Sequence, residues 1–362
     1  MAEKIVIACG GTGGHLFPGI AVAEVCQRRG HEILLLISEK KIDSLAVEGY
    51  EHLNFERVRS VPMPKLLSLA MVPFAFRSLA GLWRCRGILK RFDASVVMGM
   101  GGFTSTIPLM AGRLRSCRTL VHESNAIPGR ANRLNAKFSD LVLLGLEACA
   151  DHFDEGKTQV VGTPLRPELH QHPQRAQARQ HFALEKDKKT VLVMGGSQGA
   201  RGINMMVSQA LPQYVKAGVQ LLHIAGVDDV EMVEEAYAEV DGAGCVVKFC
   251  SEMGLAYAAA DVALCRSGAS SLAELAAFGL PSVLIPYPYA AEDHQTKNAQ
   301  IYERGGAALL YQQGDLDAGK LAQVLIDLLD DDERLAKMAD KMNSFAMMDA
   351  AERVADAVEG GD

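Results

Sequence analysis

The residues best suited to chemistry follow three apolar runs of the chain, and each group is rich in glycine. The groups are Gly10-Gly-Thr-Gly-Gly-His15, Gly99-Met-Gly-Gly-Phe-Thr-Ser105 and Gly195-Gly-Ser-Gln-Gly199. Glycine lets a backbone approach a ligand closely, and free amides at the start of a helix attract anions. A tight strand-to-helix turn also needs glycine for structural reasons alone. Three such loops, each directly after a strand, favour binding of a phosphate or diphosphate.

The glycine spacing argues against the two commonest nucleotide fingerprints. In the first loop, Gly11, Gly13 and Gly14 lack the third glycine of G-x-G-x-x-G, although Glu39 does follow the second strand. No Gly-Lys-Ser or Gly-Lys-Thr directly follows the first loop, so it is not a P-loop. The pattern therefore indicates an anion site for a ligand other than NAD or ATP.

The sharpest single motif is Cys265-Arg-Ser-Gly-Ala-Ser-Ser-Leu-Ala-Glu274. It predicts a strand that ends at Cys265, a turn at Gly268 and a helix. The amides of residues 269–271 would then face a diphosphate, and Glu274 could accept both hydroxyls of a ribose. The alternative is structural, with Ser270 or Ser271 as the N-cap and Glu274 as its capping-box partner.

A polar segment, Pro286–Asn298, follows the next apolar run. Its Asp293, His294, Gln295 and Asn298 are side chains that can hydrogen-bond a sugar. A solvated loop has a similar composition, so this segment alone does not identify a sugar site.

Two series of short apolar runs must position these loops. The first comprises Lys4–Cys9, Ile33–Ile37, Ala94–Met98, Thr119–Val121 and Leu141–Leu144, with a helix predicted from Pro18 to Gly30. The second comprises Thr190–Met194, Gln220–Ile224, Val246–Phe249, Asp261–Cys265 and Ser282–Ile285. Strands that alternate with helices predict two α/β domains with doubly wound, Rossmann-like parallel sheets. The proline-rich segment 162–173 predicts the linker, and the active site is expected in a cleft between the domains.

Composition restricts the class of protein. The 362 residues carry a net charge of −7, which argues against a nucleic-acid partner. Eight cysteines without a C-x-x-C pair, and mostly in apolar runs, are typical of a reducing compartment. The sequence shows no signal peptide and no run of 18 apolar residues, so we expect a cytoplasmic protein.

The ordered set of motifs resembles the MurG family, the UDP-N-acetylglucosamine transferases that convert lipid I to lipid II. The resemblance runs from residue 5 to about residue 300. It is carried by the three glycine loops together with His122-Glu-Ser-Asn125, Gly162-Thr-Pro-Leu-Arg166, Arg266–Glu274 and Asp293-His-Gln295. It implies the GT-B fold and two substrates, UDP-N-acetylglucosamine and lipid I, an undecaprenyl-diphosphate-muramoyl peptide. The implied domains are 1–163 for the acceptor and the membrane, 164–340 for the donor, and a helix in 341–362 that packs back on the first.

The resemblance also implies roles for individual residues. Ala269 to Ser271 would meet the phosphates, Glu274 the ribose and Gln295 the sugar hydroxyls, while the backbone near Cys250 would hold uracil. The full donor set is Thr12, Gly13, Gly14, Asn125, Arg166, Ser197, Cys250, Ala269, Ser270, Ser271, Leu272, Ala273, Glu274 and Gln295. The candidates for the acceptor diphosphate are Gly13, Gly14, Gly101 and Gly102. Ser124 departs from the glutamine found in many members, which puts acceptor contacts there in question.

The implied reaction is attack of a muramoyl 4-hydroxyl on C1 of the donor, with inversion. We expect His15 to be the general base, since imidazole suits proton transfer near neutral pH and the residue directly follows a glycine turn. His122 and Glu123 are the rivals. No Asp-x-Asp stands at a strand end, so amides near Ala269 and the side chain of Arg166 would meet the charge of the departing UDP. Neither a metal nor a cofactor is expected.

Residues 57–92 contain eight basic residues and no acidic one. Apolar residues alternate with them, including Trp83, the only tryptophan of the chain. Such a segment is typical of the interface of an anionic membrane leaflet, although a core helix with a basic face would look similar. Because of Pro62, Pro64 and Pro73 we expect a loop with short helices. The predicted membrane patch is Leu79, Leu82, Trp83, Arg84 and Arg86, at the cytoplasmic face of the cell membrane.

Three other functions compete with this one. Another GT-B glycosyltransferase with a different lipid or small acceptor would use the same second-domain motifs. A UDP-N-acetylglucosamine epimerase shares the architecture but needs no membrane patch. A non-catalytic subunit that binds a nucleotide sugar would not need His15.

Overall fold

The computed structural model describes residues 2–10, 13–39, 49–58, 71–196 and 199–360. The chain forms two compact units. The first unit contains Met1–Arg166 and Met347–Asp362, and the second contains Pro167–Ala346. The chain therefore leaves the first unit after Arg166, builds the whole second unit and returns to the first.

The first unit is an α/β unit whose described residues form a seven-stranded parallel sheet. Its strands are β1 (Lys4–Ala8), β2 (Glu32–Ser38), β3 (Phe55–Val58), β4 (Val96–Gly99), β5 (Arg118–Glu123), β6 (Leu141–Leu144) and β7 (Thr158–Val160). Its first helices are α1 (Gly13–Arg28), α2 (Met71–Phe92), α3 (Gly102–Arg113) and α4 (Arg130–Asn135). The strand order is β3-β2-β1-β4-β5-β6-β7. The order reverses between β1 and β4, where ligands bind in open α/β sheets.

The second unit repeats this design with six parallel strands among its described residues. They are β8 (Lys189–Met194), β9 (Val219–Ile224), β10 (Gly244–Val247), β11 (Val262–Cys265), β12 (Ser282–Leu284) and β13 (Ala308–Leu310). The helices are α5 (Arg175–His181), α6 (Arg201–Gln209), α7 (Leu211–Lys216), α8 (Val230–Ala238), α9 (Met253–Ala259), α10 (Ala269–Ala277), α11 (His294–Arg304), α12 (Ala318–Asp330) and α13 (Asp332–Asn343). The order β10-β9-β8-β11-β12-β13 reverses between β8 and β11.

The predicted pair of doubly wound parallel sheets is confirmed. The predicted strand Val246–Phe249 is displaced, because β10 begins at Gly244 and ends at Val247. The strands β3, β7 and β13 were not predicted; they are only three or four residues long and lie at or next to the sheet edges. Short edge strands carry too few residues to show a periodic pattern.

Two helix predictions were wrong in their bounds. The first helix begins at Gly13 instead of Pro18, although Gly30 with φ of 89° does mark its end. Residues 71–92 form one helix of 22 residues instead of a loop with short helices. Pro73 is the third residue of α2, where a missing backbone N–H costs nothing because the first turn has no acceptor for it. Pro62 and Pro64 lie outside the described residues.

The last helix, α14 (Ala350–Glu359), belongs to the core of the first unit. Its Val354 and Val358 are buried in the same apolar cluster as Ile20 of α1. At the surface, Arg29 donates to Asp356 at 2.7 Å and to Glu359 at 3.0 Å. The ring of the buried His31 lies 2.7 Å from Glu359, and this hydrogen bond is the main cause of the lowered pKa of that carboxyl. The helix is therefore an integral layer of the first unit.

Candidate active site

In the first unit, the loops after β1 and β4 lie side by side, since Ala8 and Gly99 are register partners. Helix α1 follows the first loop and carries His15 in its first turn. A Cβ atom built on Gly19 would lie 2.4 Å from Cβ of Cys9, so only glycine lets α1 approach the end of β1 this closely. The packing of α1 thus fixes the height of His15 above the sheet.

The imidazole of His15 lies against the second glycine loop. Gly101 and Gly102 have φ angles of 110° and 70°, which residues with a side chain rarely adopt. A Cβ atom on Gly101 would lie 3.0 Å from Nε2 of His15, and one on Gly102 would lie 3.2 Å from its Cε1. The two glycines therefore make the space that the ring occupies. His15 is half-buried, so part of the ring remains accessible.

A buried polar network supports the loop that His15 touches. Asn135 donates to the carbonyl of Gly102 at 3.1 Å and to the side chain of Asn132 at 3.0 Å, and it accepts from Thr106 at 2.7 Å. Asn132 in turn donates to Glu123 at 2.9 Å. These groups join the second glycine loop to the end of β5 through buried side chains, since Thr106, Asn132 and Asn135 are at most 8% exposed.

The carboxylate of Glu123 is an acceptor at the centre of the 123–132 segment. It is 3% exposed and accepts hydrogen bonds from the backbone and side chain of Asn125, from the backbone of Gly129 and from Asn132, at 2.8–3.2 Å. All the donors belong to this protein, and together they shape the loop. The carboxylate of Glu123 therefore has a structural role in this loop.

His122 is buried with both ring nitrogens engaged. Its Nε2 lies 2.8 Å from the carbonyl of Gly162, which can only accept, so Nε2 carries the proton. Its Nδ1 lies 3.3 Å from the hydroxyl of Ser124. Burial lowers the pKa of His122, so the ring is neutral at pH 7. The hydrogen bond from His122 to Gly162 therefore connects β5 to the residues that follow β7.

The remaining predicted residues of this unit are Gly14, Asn125, Arg166 and Thr12. Asn125 is half-buried in the loop that Glu123 holds. The guanidinium of Arg166 lies over Phe17, at 4.6 Å from the ring centroid, so it stands beside the first turns of α1 with Gly14 and His15. Thr12 lies outside the described residues.

In the second unit, the third glycine loop follows β8. The amide of Gly199 donates to the carbonyl of Gly196 at 3.0 Å, which closes the loop ahead of α6. Asn204 of α6 donates to the carbonyl of Ala225 and to Asp229, each at 2.9 Å, and ties α6 to the end of β9. Ser197 lies outside the described residues.

The strand, turn and helix predicted for residues 265–274 are confirmed. Strand β11 ends at Cys265, Gly268 is the N-cap and α10 begins at Ala269. The capping-box alternative is wrong, since the N-cap is a glycine and neither Ser270 nor Ser271 occupies it. Ala269, Ser270, Ser271 and Ala273 are half-buried at the start of α10. Leu272 is fully buried, so only its backbone is available to a ligand.

Glu274 points toward α9. Its Oε2 accepts a hydrogen bond of 2.5 Å from the hydroxyl of Tyr257, whose side chain is 2% exposed. Glu274 itself is half-buried on the second turn of α10. Nothing in the sequence spacing of residues 257 and 274 predicts this pair.

Arg266 connects three loops at the same edge of the second sheet. It donates to the carbonyls of Ile285 at 3.0 Å and Pro286 at 2.9 Å, and to the side chain of Gln313 at 2.7 Å. Its guanidinium also lies 5.7 Å from the ring of Tyr287. Burial lowers the pKa of Arg266, but the group remains a cation. Sequence reasoning included Arg266 in a motif without giving it this role.

Gln295 is the second residue of α11 and is also hydrogen-bonded at this edge of the second sheet. Its side-chain oxygen accepts from the amide of Tyr287 at 2.9 Å, and its carbonyl accepts from Ser267 at 2.8 Å. Just before it, Glu292 and Asp293 both have φ above 50°, a conformation that costs about 1–3 kcal/mol per residue. Strain of this kind is common where a loop is shaped for a ligand.

Cys250 lies in the loop between β10 and α9, beyond the carboxyl end of the strand. It is half-buried and follows the exposed Phe249. The carboxyl ends of β8, β9, β10, β11 and β12 all point to one edge of the parallel sheet. The loops that carry Cys250, Gly196, Ser267 and Tyr287 therefore lie at that edge.

Helix α2 presents an apolar stripe to solvent. Phe76, Leu79 and Trp83 are 71%, 53% and 66% exposed, at spacings of three and four residues that place them on one face. The opposite face buries Cys85, Ile88 and Leu89 in the core. Leu82, predicted for the membrane patch, is half-buried and packs against that core. Phe76 belongs to the exposed stripe but was not part of the predicted patch.

The basic residues of α2 fall into two groups. Arg84 donates to the carbonyl of Arg57, and Arg91 pairs with Glu56 at 2.9 Å. Arg86 lies 5.9 Å from the ring of Trp83, and it is exposed together with Arg77 and Lys90. Among the described residues, no helix has both the length and the apolar character needed to cross a bilayer.

Comparison with known proteins gives the class of the chain. Residues 5–144 match the family model of the glycosyltransferase family 28 N-terminal domain, and residues 190–354 match that of the family 28 C-terminal domain. Two α/β units, each with a parallel sheet and loops at its switch point, are typical of the GT-B fold. The chain is a glycosyltransferase with that fold.

The particular family follows from three relatives. A Geobacter sulfurreducens protein named UDP-N-acetylglucosamine--N-acetylmuramyl-(pentapeptide) pyrophosphoryl-undecaprenol N-acetylglucosamine transferase is 38% identical, across 98% of this chain and 97% of the relative. A Myxococcus xanthus protein of the same name is 39% identical, across 98% and 91%. The crystal structure of Acinetobacter baumannii MurG is similar with a TM-score of 0.78 and 26% identity, across 98% of this chain and 99% of that one. The chain belongs to the MurG family.

Proposed function

We propose that this chain transfers N-acetylglucosamine from UDP-N-acetylglucosamine to the muramoyl 4-hydroxyl of lipid I, with inversion, to give lipid II for peptidoglycan synthesis. The observation that carries the proposal is the full-length similarity to relatives named for this transfer. The loops at the switch points of the two sheets also support the proposal. The loops after β1 and β4 would serve the acceptor, and those after β8 and β11 the donor.

His15 is the general base of the proposed mechanism. Its ring is half-buried beside the Gly101–Gly102 turn, whereas the two rivals, His122 and Glu123, are only 0% and 3% exposed. Nε2 of His122 is committed to a carbonyl, and the carboxylate of Glu123 accepts from the loop it shapes. His15 would take the proton of the attacking hydroxyl as the bond from that oxygen to C1 forms and the bond from C1 to the UDP oxygen breaks.

The second unit would stabilise the leaving diphosphate. The first turn of α10 offers backbone amides and the positive end of a helix dipole. Glu274 would bind the ribose, the backbone near Cys250 the uracil, and Gln295 the sugar hydroxyls. Gly13, Gly14, Gly101 and Gly102 would line the site of the acceptor diphosphate. The charge on UDP is met by protein groups, so turnover should persist in excess EDTA.

The test of the transfer is an incubation of the purified chain with labelled UDP-N-acetylglucosamine and a lipid I analogue. We expect a disaccharide product with the β configuration and release of UDP. An analogue whose muramoyl 4-hydroxyl is replaced by hydrogen should give no product. Transfer to unrelated lipids but not to lipid I would support a GT-B enzyme with another acceptor. Release of free monosaccharide epimer would support an epimerase.

The exposed stripe of α2 supports binding to the cytoplasmic face of the membrane. Phe76, Leu79 and Trp83 would enter the acyl boundary, and Arg77, Arg86 and Lys90 would meet anionic headgroups. Burial of such side chains contributes about 1.5–3 kcal/mol each, and a basic residue near the surface about 1 kcal/mol. An interfacial enzyme needs this contact because its acceptor stays in the bilayer.

Sedimentation with vesicles of phosphatidylglycerol and phosphatidylcholine tests this surface. Trp83→Ala should lower the bound fraction several-fold, and raised salt should lower it further. Leu114→Ala is the matched control, because Leu114 is 56% exposed in the same unit but lies outside α2. Equal loss in both variants, or none in Trp83→Ala, would count against the stripe.

A further inference from the structure

We infer that Tyr257 is a positioning residue for the nucleotide, which holds the carboxylate of Glu274 in the orientation that accepts the ribose hydroxyls. The inference rests on the proposed function, in which Glu274 binds the ribose. It assigns a role to a residue that lies in none of the glycine loops and in no motif of the family resemblance.

The hydrogen bond between the two residues is short and shielded. The hydroxyl of Tyr257 donates to Oε2 of Glu274 at 2.5 Å, and the tyrosine is 2% exposed. A hydrogen bond from a hydroxyl to a carboxylate is about twice as strong as one between neutral groups. Exclusion of water from the tyrosine side strengthens the bond further.

The hydroxyl has a fixed position because the tyrosine ring is fixed. The ring of Tyr257 packs on Phe278, with 5.2 Å between centroids, and Phe278 is stacked on His172 at 4.6 Å. Phe278 is the C-cap of α10, the helix that carries Glu274. The aromatic cluster therefore locks the hydroxyl relative to the helix whose carboxylate it orients.

Such a lock has a direct consequence for affinity. A glutamate side chain has three rotatable bonds, and ordering a side chain of this kind costs conformational entropy. When Tyr257 orders Glu274 before UDP arrives, this cost does not fall on binding. The stabilisation is specific for ligands that carry ribose hydroxyls, since only they contact the oriented carboxylate.

The rival explanation is that Glu274 merely satisfies a buried tyrosine hydroxyl. The two explanations differ in ligand specificity. A positioning role makes the loss on Tyr257→Phe depend on the ribose hydroxyls, whereas a structural role makes it independent of them. Tyr257→Phe keeps the ring and its packing on Phe278, so the variant removes only the donor.

Calorimetric titration of the full chain with UDP and with 2′,3′-dideoxy-UDP provides the test. We expect Tyr257→Phe to weaken UDP about 5- to 10-fold and to leave dideoxy-UDP unchanged. In turnover, KM for UDP-N-acetylglucosamine should rise while kcat stays the same. Tyr214→Phe is the matched control, because Tyr214 is fully buried in the same unit and its hydroxyl has no hydrogen-bond partner among the described residues.

The Glu274→Ala variant separates failure of the inference from failure of the proposed site. If Glu274→Ala keeps full preference for UDP over dideoxy-UDP, Glu274 does not bind the ribose, and the proposed site fails. If Glu274→Ala loses that preference but Tyr257→Phe keeps it, only the inference on Tyr257 is overturned. Equal weakening of both nucleotides by Tyr257→Phe overturns it as well. In the double variant, Tyr257→Phe should add nothing to Glu274→Ala.

Discussion

The two units place their functional groups by different physical means. In the first, His15 lies against a glycine turn that a buried network of amides and one carboxylate supports from beneath. In the second, single long side chains make the connections: Arg266 joins loops at the sheet edge, and Tyr257 of α9 holds Glu274 of α10. One arrangement is buried and shared among many groups, while the other depends on a few contacts.

The difference suits the tasks proposed for the two units. Proton transfer requires a base within hydrogen-bond distance of one hydroxyl, and a shift of 1 Å can cost 100-fold in rate. A dense buried network gives that precision. A donor must enter and UDP must leave in every cycle, and a few side-chain bonds allow loops to move while they fix the bound geometry. Substitutions in the network beneath His15 should therefore act on kcat, and those at Arg266 or Tyr257 on KM for the donor.

The largest effect is expected for His15→Ala. Loss of a general base lowers kcat by roughly 100-fold or more, while the half-buried position leaves the fold intact. Steady-state turnover and a thermal unfolding curve measure both effects. His52→Ala serves as a control, since His52 is an exposed histidine of the same unit that lies away from the glycine turns. Normal turnover in His15→Ala would remove His15 from the mechanism.

The next effect concerns the network beneath the turn. Asn132→Leu leaves the carboxylate of Glu123 and the side chain of Asn135 each without one partner in a buried site. Such a loss costs about 1–3 kcal/mol, so the urea midpoint should fall, and kcat should fall with it. KM for the donor should hardly change. A rise in that KM with kcat intact would contradict the proposed division between the units.

Arg266→Lys should have a smaller effect, and it should act on KM for the donor instead of kcat. An ammonium cannot reach the three acceptors that the guanidinium joins, so the loops at residues 285–286 and 313 lose their common tether. We expect KM for UDP-N-acetylglucosamine to rise about 10-fold and kcat to change little. Arg304→Lys, at an exposed site of the same unit, is the control for loss of a guanidinium. Equal KM values in the two variants would refute the role of Arg266.

The smallest effect is a pH dependence of stability from His223. Burial lowers its pKa to about 3, whereas in the unfolded chain it titrates near 6.5. Between these values the unfolded state binds the extra proton, so stability falls as pH drops below about 6.5, at up to about 1.4 kcal/mol per unit. In His223→Gln, the urea midpoint should therefore change less between pH 7 and pH 5 than it does in the unsubstituted protein. An unchanged slope would show that His223 is protonated in the folded state.

Local patterns in the sequence predicted the elements that depend on local physics. The strand that ends at Cys265, the turn at Gly268 and the helix that follows depend on neighbouring residues, and all three were predicted. The contact of Tyr257 with Glu274 depends on how α9 packs beside α10, and no spacing encodes it. The same holds for Asn132, which meets Glu123 only because α4 folds back on β5. Roles taken from the family resemblance, including those of Thr12 and Ser197, stay predictions.

The position of α14 has a consequence for the order in which the chain can fold on the ribosome. The first unit buries Val354 and Val358 beside Ile20, so its core stays open until residues 350–359 have been synthesised. The second unit is continuous from Pro167 to Ala346 and can close earlier. At 5–20 residues per second, the nascent first unit waits roughly 10–40 s for its final layer, with apolar surface exposed. Chaperone capture during translation should therefore concentrate on the first unit.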